Sequence, residues 1–193
     1  MFIFNFSQMK PTKLILSGFM LLISAQLSAR NQPTHHIGEK YGGGIVFYVY
    51  DNGAHGLIAA TADQNMGIPW YNGLTRYAGT ETDGLGAGAK NTEIIVSKLL
   101  PDDEKGNFAA KVCADYSVRV DGTTYRGWYL PSKFELNLLF GQRKLVGGFA
   151  NTNYWSSTEY KTNSVWIQYF GTGHQHISNS EAYANAVRAI RAF

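Results

Sequence analysis

The feature that most limits the fold is the order in which the hydrophobic period changes along the chain. The run "YGGGIVFYVYDNGAHGLIAA" holds two β-rich stretches, 45–50 and 55–60, on either side of Asp51, Asn52 and Gly53. Those three residues tolerate positive φ, so the run predicts a tight hairpin. Helical spacing follows. In "NTEIIVSKLL" the residues Ile94, Ile95, Lys98 and Leu99 recur on successive turns, with Asn91 or Thr92 as the expected N-cap. In "GNFAAKVCADY" one face collects Phe108, Ala109, Val112, Cys113 and Tyr116. In "RGWYLPSKFELNLLF" Pro131 favours helix entry, Ser132 and Glu135 have the spacing of a capping box, and Phe134, Leu138 and Leu139 form an apolar stripe. From Asn153 the pattern returns to strands in "YWSSTEY", "SVWIQYF", "HQHIS" and "AVRAIRAF". Strands at both ends with two to three helices between them predict an α+β fold built on antiparallel sheets.

Several local readings refine this plan. Residues 61–90 are rich in Gly, Thr and Asn around a single Trp70, which predicts a long ordered loop. Gly84, Gly86 and Gly88 within it follow no strand and lack phosphate-loop spacing, which argues against a nucleotide site. Trp128 and Leu130 are expected in the core, and Tyr129, alternating with Trp128, is expected to face solvent. In the last strand Val187, Ile190 and Phe193 do not alternate, so burial on both faces or a bulge is expected.

At the front of the chain, Lys10 and Lys13 precede the apolar run "LILSGFMLLI", and small residues follow in "SAQLSA". This is the pattern of a secretory signal peptide over 1–29, cleaved after Ala25 or Ala29. The run is shorter than the ~20 residues a bilayer span needs, so no permanent membrane span is expected after cleavage. A short polar tether, 30–40, is then expected to lead into one domain, 41–193. Lys10 and Lys13 fall in the leader and all 14 acidic residues after it, which leaves the exported portion near +1. Its charge is uneven. Residues 31–104 hold 4 basic and 9 acidic side chains, while residues 105–144 hold 7 basic and 3 acidic. The middle of the chain is therefore a candidate for polyanion contact. Cys113 is the only cysteine, so stability must come from packing and the thiol is expected to be a buried small hydrophobe.

Five blocks in order carry a family likeness: "GGGIVFYVYDNGAHGLIAA", "GAGAKNTEIIV", "GWYLPSKFELNLL", "GGFANTNYWSSTEY" and "AVRAIRAF". Together they resemble the C-terminal domain family of the bacterial collagen-like adhesin Lcl, a C-type lectin-like fold, over nearly all of 41–193. The resemblance implies paired N- and C-terminal strands, with 45–50 beside 187–193, and attachment to sulfated polysaccharides such as glycosaminoglycans. The chain has no Gly-X-Y run, so trimerisation by a collagen stalk does not carry over. Glu-Pro-Asn and Trp-Asn-Asp, the strings with which animal lectins of this class hold Ca²⁺, do not occur. No dense Asp, Asn and Glu cluster precedes the last strand either, so neither metal nor cofactor is expected. The formylglycine-generating relatives use a cysteine pair, which Cys113 alone cannot supply.

The remaining chemistry is that of a binding surface. His174 and His176 share one strand face but lack evident further ligands, and solvent-facing histidines are expected. G-x-S-x-G and His-Glu-x-x-His are absent, and no enzymatic activity is expected. Sulfates are held by Arg and Lys, and sugar faces stack on Trp and Tyr. The candidate ligand-binding residues are accordingly Arg126, Lys133, Arg143 and Lys144, with Trp70, Tyr71, Tyr77 and Tyr160 from turn-rich segments. The expected function is a secreted, adhesin-like module in the periplasm, at the cell surface or outside the cell. Its expected partner is an anionic polysaccharide or a host or cell-surface glycoprotein, not nucleic acid, and a homo-oligomer is compatible with this. The alternative is a structural or protein-binding surface module without glycan affinity, and a secreted enzyme ranks below both.

Overall fold

Asp51, Asn52 and Gly53 take φ of 50°, 54° and 84° and join β2 (Gly44–Tyr50) to β3 (His55–Ala59). The left-handed region costs these residue types little, so the expected hairpin forms where local chemistry favours it. The computed structural model describes residues 34–74, 77–102 and 106–193, and the leader expected over 1–29 lies outside them. Strand β1 (Lys40–Tyr41) adds to β2, and β11 (Ile190–Ala192) lies beside β3, giving an antiparallel sheet of order β1-β2-β3-β11. The pairing expected between 45–50 and 187–193 is thereby corrected. Ile190, Arg191 and Ala192 pair with Ala59, Ile58 and Leu57, on the second strand of the hairpin and not the first.

The tether expected over 30–40 is corrected from His35 onward, residues 30–33 lying outside those described. His35 N–H donates to Gly53 O and Gly38 N–H to Val46 O, both at 2.8 Å, and the His35 ring stacks on Tyr41 at 3.8 Å. The compact unit accordingly runs from His35 to Phe193.

A second sheet has the order β4-β10-β7-β8-β9. Its strands are β4 (Asn65–Ile68), β7 (Asn153–Lys161), β8 (Ser164–Tyr169), β9 (Gln175–Ser178) and β10 (Asn185–Val187). The β7–β10 pair is parallel and the others antiparallel. A separate hairpin joins β5 (Val118–Val120) to β6 (Thr123–Tyr125). Among the described residues four helices complete the α+β fold: α1 (Ala87–Leu99), α2 (Ala109–Ala114), α3 (Lys133–Gly141) and α4 (Arg143–Val146). The expected loop 61–90 thus contains a strand, β4, and the first residues of α1. None of the described helices is long and apolar enough to cross a membrane.

"AVRAIRAF" is two strands in two sheets, not one strand, which explains its broken alternation. The chain leaves β10 in the second sheet and enters β11 in the first through Arg188 and Ala189. Arg188 is fully buried at this crossing. Its Nε donates to Asp63 Oδ1 at 2.6 Å, and its terminal nitrogens donate to the carbonyls of Ala60, Gly147 and Gly148. Gly147 and Gly148 adopt φ of 75° and 71°, a backbone that L side chains rarely take, in the loop that offers these carbonyls. Phe149 covers the guanidinium, with its ring centroid 3.9 Å from Arg188 Cζ.

The first sheet is buried on both faces. Val46 and Ile58 join one core with Trp70, Ile95, Cys113, Trp128 and Trp155, while Phe47 and Leu57 join another with Leu136, Leu139, Tyr154 and Ile190. Two covered faces account for the nearly continuous apolar run of the hairpin. Burial pushes the Cys113 thiol well up from its usual range, consistent with a packing role. Trp128 and Leu130 are in the core as expected, but Tyr129 is buried too. Its N–H and C=O exchange hydrogen bonds with Ile190 at 2.8 and 3.0 Å, which holds it against β11 instead of toward solvent.

The start of α1 also departs from the local reading. The N-cap is Gly86, with φ of 83°, and neither Asn91 nor Thr92 caps the helix. Asn91 Nδ2 donates to Thr82 O, and Thr92 Oγ1 accepts from Leu130 N–H. The cap comes from α3: Glu135 accepts from Gly86 N–H at 2.8 Å and Gly88 N–H at 3.1 Å while closing the expected capping box with Ser132. Gly88 is required by this close approach, since a Cβ there would meet the Glu135 carboxylate and the backbone of Leu130 and Ser132.

Candidate functional site

On β8 the side chains of Val165 and Ile167 enter the core beside Trp155, so Trp166 between them points to the other face of the sheet. There it meets the first turn of α3. Lys133 Nζ lies 3.6 Å from the centroid of the Trp166 ring. The backbone of Lys133 is fixed on both sides, its N–H by Thr158 Oγ1 at 3.0 Å and its carbonyl by Gln175 Nε2 at 2.9 Å. Tyr160, at the end of β7 and 51% exposed, stands edge-on to Trp166 with centroids 6.0 Å apart. Lys161 Nζ lies 5.8 Å from the Tyr160 ring. Two ammonium groups and two aromatic rings thus form one platform. Such a surface offers C–H stacking to a sugar face and charge-assisted hydrogen bonds to an anionic substituent.

Of the residues expected in the site, Lys133 and Tyr160 come together here through Trp166. Arg143 and Lys144 lie beyond the opposite end of α3, about 13 Å away for a nine-residue helix. The Arg143 guanidinium rests on the Phe140 ring at 3.8 Å and donates to Phe140 O, while Lys144 is exposed. Arg126 is exposed after β6, and Tyr77 is exposed in the loop before Ala78. Tyr71 is half-buried against the first core. Trp70 is a correction: it is fully buried, and its Nε1 donates to Ser156 O at 2.9 Å. The ring anchors the loop from within and offers no surface to a ligand. Trp166 and Lys161 were not among the expected residues. The alternation of "SVWIQYF" could have placed Trp166 outward, but its contact with Lys133 depends on tertiary packing.

His174 is exposed as expected, whereas His176 is half-buried, their rings stacked at 5.3 Å. Among the described residues no group of three or more His, Cys, Asp or Glu side chains is placed to hold a metal ion.

Two buried carboxyls behind the second sheet are chemically distinct. Glu159 accepts from the N–H groups of Ala78 and Thr80 at 2.9 and 2.8 Å. Glu181 is fully buried, and neither carboxyl oxygen has a hydrogen-bond partner among the described residues. Burial, reinforced by the Glu159 charge, pushes Glu181 up to about 7. The native state therefore keeps this proton to a higher pH than the unfolded chain, which releases it near the ordinary carboxylate value of 4.5. Native protein binds more protons across that window, so stability falls as pH rises from about 4.5 to about 7 and then levels. The expected fall is about 1–2 kcal/mol after allowance for solvent screening. Urea unfolding at stepped pH checks this, with Glu181→Gln expected to flatten the slope; an unchanged slope in the variant would refute the assignment.

No protein-family model matches the chain, and no curated protein matches it.

Proposed function

We propose that this chain is a secreted, non-enzymatic binding module of the C-type lectin-like class that holds a sulfated or otherwise anionic polysaccharide, or a glycoprotein carrying one. The observation that carries the reading is the platform in which Lys133 lies over Trp166 beside Tyr160 and Lys161. Its ammonium groups face solvent-side aromatic rings instead of carboxylates, leaving them able to meet an external anion. The lectin-like class is supported by the five sequence blocks and by β11 returning to the sheet of the first hairpin. A polysaccharide long enough to follow α3 would also reach Arg143 and Lys144.

Retention on immobilised heparin tests the reading. Lys133→Gln combined with Lys161→Gln is expected to weaken binding by about 1–3 kcal/mol, the scale of one or two charge-assisted hydrogen bonds. The loss should shrink as salt is raised, because exposed charges are screened. Unchanged retention with an unchanged melting temperature would remove the platform as the site. Failure of the parent protein to bind any sulfated glycan would favour a structural or protein-binding role.

A further inference from the structure

The loop that carries the chain from β9 to β10, residues 179–184, is held at one point. Glu181 is its only buried residue, and Ala182, Tyr183 and Ala184 after it are exposed. Among the described residues, both hydrogen bonds that tie this loop to distant parts of the chain are made by the Glu181 backbone. Its N–H donates to Asn163 Oδ1 at 3.3 Å, and its carbonyl accepts from Trp70 N–H at 2.8 Å. The other side-chain bonds are local, from Ser178 Oγ to Ser180 O and from Ala182 N–H to Ser180 Oγ. Asn179, Tyr183 and Ala184 wall a cavity of about 500 Å³ against Ile167 and His176, so the loop lies as a strap across the second sheet.

The side chain at that anchor is poorly suited to carry a charge. Neither oxygen of the fully buried Glu181 carboxyl has a hydrogen-bond partner among the described residues. Glu159 acts on it from β7, but that carboxylate is already engaged by the N–H groups of Ala78 and Thr80 and by the Thr80 hydroxyl, so it offers a like charge and no donor. Of the other titratable groups on neighbouring elements, Lys98 donates to Ala78 O, Lys161 lies beside the Tyr160 ring and His176 lines the cavity from β9. None of these bonds to Glu181. A protonated carboxyl tolerates such a place, whereas a carboxylate loses its hydration there and receives nothing in return. Because one residue makes both long-range hydrogen bonds of the strap, movement of Glu181 into water releases the strap.

We propose that residues 179–184 are a pH-released strap, closed while Glu181 holds its proton and freed as Glu181 ionises. The closed state keeps the proton to about 7, against the ordinary value of 4.5 in water, so rising pH favours the open state between those values and adds nothing above them. Native-state amide exchange on the purified protein, from about pH 5 to about pH 8 and corrected for the intrinsic rise of the rate with pH, tests it. Protection at the Trp70 and Glu181 amides is expected to fall about tenfold or more across that range. It is also expected to be lower than that of amides inside the β7–β8 pair and insensitive to low urea, because opening the strap exposes little surface. Glu181→Gln keeps the shape without the charge and is expected to hold the protection constant with pH. Should that variant not fold, ¹³C titration of the Glu181 carboxyl in the parent protein is expected to coincide with the loss of protection, and a midpoint at the ordinary carboxylate value would refute the strap. Protection at the two amides that ignores pH, or that equals that of β7–β8 and falls in step with it in urea, would overturn the proposal. So would a fall that persists in Glu181→Gln, which would point to His176 instead.

Discussion

Replacing Arg188 by Met is expected to destabilise the protein by about 3–5 kcal/mol, the loss typical of breaking one side of a buried ion pair. The guanidinium is fully buried and meets Asp63 together with the carbonyls of Ala60, Gly147 and Gly148. Met would fill much of the volume but donate nothing. Asp63, whose side chain is only 6% exposed, would then be left with a charge answered by the Tyr154 hydroxyl alone among its observed partners. The effect should reach beyond the local contacts, because Arg188 sits where the chain crosses from one sheet to the other. Equilibrium urea unfolding measures it, and a loss under about 1 kcal/mol, the range of surface pairs, would show that the network is not under the strain of burial claimed for it. Asp63→Asn combined with Arg188→Met should cost less than the sum of the single changes, since each leaves the other's partner unanswered.

Glu135→Ala should cost about 3 kcal/mol or more, because one carboxylate serves two helix starts. It receives the N–H groups of Gly86 and Gly88 at α1 and of Ser132 at α3, and the Tyr129 hydroxyl lies 3.4 Å away. Burial pushes the carboxyl up while those N–H groups pull it down. Alanine would leave the buried N–H groups of Gly88 and Ser132, and that of the exposed Gly86, without their acceptor. Glu135→Gln should fall between, since the amide retains one acceptor oxygen but turns donors toward donors. Amide exchange at Gly86, Gly88 and Ser132 should accelerate in Glu135→Ala more than in the strands of the first sheet. Equal acceleration everywhere would mean that the loss is global and that the shared cap is not its source.

The same residue shows where the sequence is legible. Ser132 and Glu135 are three apart, and their capping box follows from that spacing alone. The second role of Glu135, at a helix 47 residues earlier, leaves no local trace, so Asn91 and Thr92 looked like better caps for α1 than a glycine. The first hairpin and the buried face holding Cys113 were readable because each depends on neighbours in sequence. The end of the chain was not. Two three-residue strands in different sheets look like one imperfect strand, and an arginine between them reads as surface because its acceptors come from distant loops. Trp70 misleads for a related reason: a Gly- and Asn-rich stretch suggests exposure, but a long loop needs an anchor, and here the ring is that anchor. At the candidate site, sequence supplied Lys133 and Tyr160 as residue types suited to sugars and sulfates. Their meeting over Trp166 required the register of β7 with β8 and the docking of α3.

The measurement that bears most directly on the proposed function is a ¹H–¹⁵N NMR titration of the protein with a sulfated oligosaccharide. Binding at the platform predicts the largest shifts at the Trp166 indole N–H and at the backbone amides of Lys133, Tyr160 and Lys161, weakening as salt is added. No shift at any concentration, or shifts confined to residues away from Lys133 and Trp166 while these stay unmoved, would contradict it.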